Sequence, residues 1–146
     1  MGFLDQARLM LDERAGKLVR QSKVYRTAAW GNTDQRDFFN QAVEIATPLE
    51  PDDLLSVCLD VESKLGRRRI EKWGERVIDI DVLFYDDTVL SHETLTVPHP
   101  HIPFRRFTLV PLCEIAPDFV HPSLDKTVKQ LLDECPDPLS VEEVTP

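Results

Sequence analysis

The chain has 146 residues, 42% of them apolar and 29% charged, enough for one folded domain and too apolar for a disordered polymer. A net charge of −9 and a pI near 4.8 argue against nucleic acid or an anionic membrane as partner. No apolar run approaches the about 18 residues that a membrane span needs, and none of the five glycines lies in a phosphate-loop pattern.

Residues 3–15 carry Phe3, Leu4, Ala7, Met10 and Leu11 at helical spacing, and Gly16 is placed to stop that helix. Leu18 to Thr27 reads as a strand. Residues 28–37 hold Gly31, Asn32, Thr33 and Asp34, which predict a long loop of functional interest. Phe38 to Ala46 reads as a second strand, antiparallel to the first. Pro51 opens a helix with Asp52 and Asp53 in its first turn. Its buried stripe is Leu54, Leu55, Cys58, Val61 and Leu65, and Gly66 is its expected cap.

A basic cluster follows: Lys64, Arg67, Arg68, Arg69, Lys72 and Arg76. The apolar run from Val77 to Tyr85 then predicts a strand broken only by Asp79 and Asp81. Residues 86–97 read as a hairpin, with Asp86-Asp87 as its turn. Residues 98–103 hold three prolines and two histidines in a constrained loop. Arg105 to Ile115 predicts a helix that Pro111 kinks or divides, and Thr127 to Glu134 a short final helix. The expected architecture is α+β: a ferredoxin-like mixed or antiparallel sheet with helices on its faces. One domain is expected over residues 1–135, with a loose tail over 136–146.

The chemistry is concentrated around Asp79-Ile80-Asp81. Side chains alternate along a strand, so both carboxylates share a face. Like charges so placed need a cation, or basic groups nearby. Carboxylates are hard oxygen ligands, and Mg²⁺ typically takes one or two of them together with phosphate oxygens. An Arg-rich stretch entering that strand supplies what a polyphosphate needs, because guanidinium groups grip phosphate oxygens in pairs. Solvated aspartates on an open sheet face, and a solvated charged loop, are the plainer alternatives. His99 and His101 are open to three readings: a metal, a phosphate or ribose, or solvent. Phe38 and Phe107, with Trp30 and Trp73, offer an aromatic slot for a flat ligand, although each alone is as readily a core residue.

The run Lys72-Trp73-Gly74-Glu75-Arg76-Val77-Ile78-Asp79-Ile80-Asp81-Val82-Leu83 resembles the signature of the 6-hydroxymethyl-7,8-dihydropterin pyrophosphokinase family. Ordered matches flank it: Tyr25-Arg26-Thr27, Phe38 with Asn40, Leu65-Gly66-Arg67, Leu95-Thr96-Val97-Pro98-His99, Arg105 with Phe107, and Glu114-Ile115-Ala116-Pro117. The resemblance implies transfer of a pyrophosphoryl group from ATP to the pterin hydroxymethyl oxygen, with release of AMP, in folate biosynthesis. It implies that Asp79 and Asp81 ligate a pair of Mg²⁺ ions, that Arg76 stabilises the transferring group, and that Arg67 acts from a mobile loop. Arg69, His99 and Arg105 are then expected at ATP, and Thr27, Phe38, Asn40 and Phe107 at the pterin. Expected partners are these two small molecules and other folate-pathway enzymes, in the cytoplasm, which three dispersed cysteines suit.

Two departures from the pattern stand out. The family's apolar first strand and Gly-Ser-Asn loop have no counterpart ahead of the helix that begins near Phe3, and Pro100 follows His99 where an aromatic residue is common. The first admits a non-catalytic pterin- or nucleotide-binding remnant as an alternative. Another Mg²⁺-dependent phospho- or nucleotidyltransferase is a further one.

Overall fold

The computed structural model describes residues 2–27, 38–68 and 78–144, without the side chains of Arg67 and Arg68. Helix α1, Phe3–Arg14, turns Ala7 and Leu11 inward. It ends where the N–H groups of Ala15 and Gly16 both reach the Leu11 carbonyl, at 2.8 and 3.3 Å. The Asp12 carboxylate then accepts from the N–H of Leu18 at 2.8 Å and leads the chain into the sheet.

The two predicted strands form an antiparallel hairpin, but each is divided. Strand β1, Lys17–Gln21, pairs with β4, Val43–Ala46. Strand β2, Tyr25–Thr27, pairs with β3, Phe38–Asn40. The division falls at Ser22 and Ala42. The N–H of Ser22 donates to the Ala42 carbonyl at 2.8 Å, and the Ala42 N–H donates to the Ser22 hydroxyl at 2.9 Å. A side chain thus takes over a ladder position, and the ladder is interrupted there.

Helix α2, Pro51–Arg68, buries Leu54, Cys58, Val61 and Leu65. It does not stop at Gly66, as expected, but runs on to Arg68. The roughly 1 kcal/mol that glycine costs a helix is small beside a fully buried stripe. Together α1 and α2 make a first core cluster, tied also by an Arg14–Asp60 ion pair at 2.7 Å. A second cluster joins Ala42 and Ile102 to Leu109, Leu112 and Ile115 of α3, Arg106–Ile115, and to Val128 and Leu131 of α4, Val128–Glu134. Pro111 lies inside α3 without dividing it. Helix α4 opens on a reciprocal capping box between Thr127 and Gln130.

Residues 78–85 keep the predicted in-out alternation: Ile78, Ile80 and Val82 pack on the first cluster, whereas Asp79 and Asp81 are exposed. The expected strand is nevertheless not formed, because no strand among the described residues lies beside this segment. A cavity of about 750 Å³ is lined by β4 on one side and by this segment on the other. Past a turn with Asp86 in the left-handed region, β5, Leu90–Ser91, and β6, Thr96–Val97, form the hairpin predicted over 86–97. Residues Ile102–Phe104 make a single 3₁₀ turn before α3. The tail also differs from expectation. Val141–Glu143 form β7, antiparallel to β2, so that β2 lies between β3 and β7. The architecture is α+β with antiparallel strands, as the sequence predicts.

His121 gives this fold a pH dependence. It is 5% exposed, its ring meets that of Phe84 edge-on, and its Nδ1 accepts from the N–H groups of Ser123 and Leu124, both at 3.1 Å. Burial lowers its pKa from the usual 6.5. The unfolded chain therefore takes up the proton first as pH falls. Stability is expected to be level above about pH 6.5 and to decline below it, down to the depressed folded pKa. Urea melts at pH 7.5 and 5.5 check this, and His121→Asn is expected to shrink the difference.

Candidate active site

The pterin-pocket candidates come from the β2–β3 end of the sheet and from the start of α3. Tyr25 lies opposite Asn40, and Thr27 opposite Phe38. Directly opposed residues share a face, so Thr27, Asn40 and Phe38 line up with Tyr25. The Tyr25 hydroxyl donates to Glu114 in the last turn of α3 at 2.6 Å, which identifies this face as the one α3 covers. Phe38 is 56% exposed, unusual for so large an apolar side chain. Thr27 is buried, and its hydroxyl has no hydrogen-bond partner among the described residues. A buried, unpaired hydroxyl costs about 1–3 kcal/mol, and a polar ligand edge would relieve it.

The phosphate-end candidates gather around His99. Its N–H donates to the Leu83 carbonyl at 2.8 Å, which fastens it two residues past Asp81. Burial lowers its pKa, the Asp81 carboxylate opposes that, and His101 and Arg105 add to it, so all three act on one ring. The His101 N–H also donates to His99 Nδ1 at 3.2 Å. The Arg105 guanidinium stands 5.6 Å from the centre of the Phe107 ring. Arg105 thereby connects the candidate phosphate-end group to a candidate pterin-pocket residue.

Asp79 and Asp81 are held by the segment's backbone: the Ile80 N–H between them donates to Glu62 of α2 at 2.5 Å. Beside them lies the Cys58 thiol, whose pKa is pushed up to about 11 by burial first and by the Glu62 and Asp81 charges next. That thiol stays protonated at neutral pH, outside the reactive range. Among the described residues no three His, Cys, Asp or Glu side chains converge as a metal cage. A pair of exposed carboxylates on one face suits a hard ion that draws its remaining ligands from phosphate and water.

Arg69, Arg76, Trp30, Trp73 and the predicted loop over 28–37 lie outside the described residues, as does the side chain of Arg67. Reading the sequence for chemistry overlooked the latch on β2. The Glu114 carboxylate takes both the Tyr25 hydroxyl and the N–H of Lys23, the latter at 3.1 Å. Burial first, then Glu114, pushes the Tyr25 pKa up to about 12, so it remains the donor. The signal was present, since Tyr25 and Glu114 both belong to quoted family motifs.

Two carboxylates, a histidine and an arginine at one end, and an exposed ring and an unsatisfied hydroxyl at the other, are the residue types of an enzyme that moves phosphate groups onto a flat acceptor. The chain belongs to the 7,8-dihydro-6-hydroxymethylpterin-pyrophosphokinase family, whose profile matches residues 2–117. It is 49% identical over 128 residues to a 2-amino-4-hydroxy-6-hydroxymethyldihydropteridine pyrophosphokinase from Methylorubrum extorquens, covering 88% of this chain and 79% of that protein. The identically named Synechocystis protein is 45% identical over 118 residues, 81% of this chain and 60% of the relative. For the Bacillus subtilis protein of that name the figures are 41% over 114 residues, 77% and 68%. Membership makes the chain a transferase, a diphosphokinase of folate biosynthesis, with ATP and a pterin as substrates. No helix among the described residues is long and apolar enough to cross a membrane.

Proposed function

We propose that this chain transfers the β,γ-pyrophosphoryl group of ATP to the hydroxymethyl oxygen of 6-hydroxymethyl-7,8-dihydropterin, with Asp79 and Asp81 at the centre of the phosphate site. The substrate oxygen forms a bond to the β-phosphorus, the bond from that phosphorus to the α,β-bridging oxygen breaks, AMP leaves, and the hydroxyl proton is released. The observation that supports this reading is geometric: a 2.8 Å backbone bond fastens His99 to Leu83, two residues past Asp81, and the Arg105 guanidinium stands 5.6 Å from the centre of the Phe107 ring. Asp79 and Asp81 hold Mg²⁺, two ions by family resemblance, and the metal supplies charge neutralisation of the polyphosphate. His99, Arg105 and Arg69 hold ATP. Arg67 and Arg76 meet the charge of the transferring group. Phe38 and Phe107 sandwich the pterin ring, while Asn40 and Thr27 bond its polar edge. The reaction takes place in the cytoplasm, a reading that the three free thiols support.

The test is AMP release from ATP with and without the pterin. Release that ignores the pterin, or ADP in place of AMP, overturns the reading. Phe107→Ala should raise the pterin KM about tenfold or more, because one stacked ring is worth about 1–3 kcal/mol. Its ATP KM should stay within about threefold. Steady-state kinetics in both substrates check the split.

A further inference from the structure

We propose that residues 136–144 are a positioning strap for the pterin pocket, with Asp137 and strand β7 as its working parts. The inference rests on the site assignment above and concerns residues beyond the family match, which ends at 117. The two walls of the proposed pocket come from different elements: Thr27, Phe38 and Asn40 from β2–β3, and Phe107 from the first turn of α3. Glu114 joins those elements at the far end of α3. At the near end, where a flat ligand would have to be gripped, the join is the strap.

One oxygen of Asp137 accepts from the Arg106 N–H at 3.0 Å, capping the first turn of α3 beside Arg105 and Phe107. Its other oxygen accepts from the Leu139 N–H at 3.0 Å, which turns the strap toward the sheet. Two residues later Val141 pairs with Thr27, Glu142 with Arg26 and Glu143 with Tyr25. The Val144 N–H donates to the Val24 carbonyl at 2.8 Å. Ion pairs from Glu142 to Arg26 at 2.7 Å and from Glu143 to Lys23 at 3.2 Å flank the ladder. A chain of bonds thus runs from the α3 N–H groups through one carboxylate to the strand that carries Thr27. It fixes the spacing between Phe107 and the Thr27–Phe38 pair, and stacking on two faces is sensitive to that spacing.

Asp137→Ala removes the join at α3. Glu142→Pro removes it at the sheet, because bonds alternate along an antiparallel ladder and Glu142 falls on a bonded position two residues from Val144. Each is expected to raise the pterin KM about tenfold, with kcat at saturating pterin within about threefold and the melting temperature within a few degrees. Asp137→Asn keeps a carbonyl oxygen at the cap and is expected to recover most of the loss. Glu142→Ala removes only an exposed ion pair and should match the parent. Hydrogen exchange should quicken at 25–27 and 106–108 in Asp137→Ala and Glu142→Pro. Parent-like pterin KM in both, with exchange quickened, overturns the proposal, as does an Asn variant as impaired as Ala. A parent chain whose AMP release does not depend on pterin overturns the site assignment instead.

Discussion

Asp79→Ala and Asp81→Ala are each expected to lower pyrophosphoryl transfer by about a hundredfold to a thousandfold, on the several kcal/mol that bound metal contributes to such transition states. Folding should be untouched. Both side chains are exposed, and the segment is anchored by its apolar residues and by the Ile80–Glu62 bond. For Asp81→Ala, removing one of two like charges on the same face relieves repulsion in the free protein, so apo stability should hold or rise slightly. Titration calorimetry with MgATP, AMP release and a thermal melt give the three readings. A variant that binds MgATP as tightly as the parent would exclude its carboxylate from the metal site.

Gly16→Ala is expected to have a comparably large effect on stability, at a distance from the site. Gly16 joins α1 to β1 with φ of +156°, and a Cβ there would lie 2.2 Å from the Ala46 carbonyl oxygen and 2.8 Å from the Thr47 Cα. Both are backbone atoms, so no rotamer change relieves the clash. The corner is also locked: the Thr47 hydroxyl donates to the Ala15 carbonyl and accepts from the Leu49 N–H. Overpacking of this kind costs about 3 kcal/mol, or roughly 10 °C in melting temperature for a domain of this size. Circular dichroism melts check it. Activity measured well below the transition should survive.

The helices were legible because their apolar spacing coincides with what they bury: of the stripe read in the sequence, Leu54, Cys58, Val61 and Leu65 are core in space and only Leu55 stays half-buried outside it. The antiparallel hairpin was legible as two extended runs on either side of turn residues, although its side chains stay mostly exposed. Its interruption was not, because Ser22 acts through a hydroxyl aimed at the backbone of Ala42, twenty residues away, and no pattern in either strand announces it. The alternation at Asp79 and Asp81 was readable; the lack of a pairing strand beside it depends on what lies across the cavity. Strand β7 was hidden by composition. Its neighbourhood is rich in proline and acid, and its three residues form a strand only because β2 offers an edge and Arg26 and Lys23 offer charge. The candidate site was read through ordered family motifs, whereas spacing alone left the histidines and aromatics open. What brings His99 to Asp81 is a backbone bond to Leu83.

The division of the interior into two clusters bears on how substrates act on the protein as a whole. Segment 78–85 is shared between them, with Ile78, Ile80, Val82 and Tyr85 on the α1–α2 side and Leu83 and Phe84 on the α3–α4 side. Proposed ligand contacts fall on both sides, Asp79 and Asp81 with the first and Phe107 with the second. On that assignment, a nucleotide and a pterin bound together would bridge the two clusters. Their binding energy adds to the cohesion between the halves, since ligands that favour the joined state stabilise it by mass action. On the site assignment above, substrate binding and the cohesion of the two clusters are coupled through segment 78–85, alongside the sheet, which puts Ile45 on one cluster and Ala42 in the other.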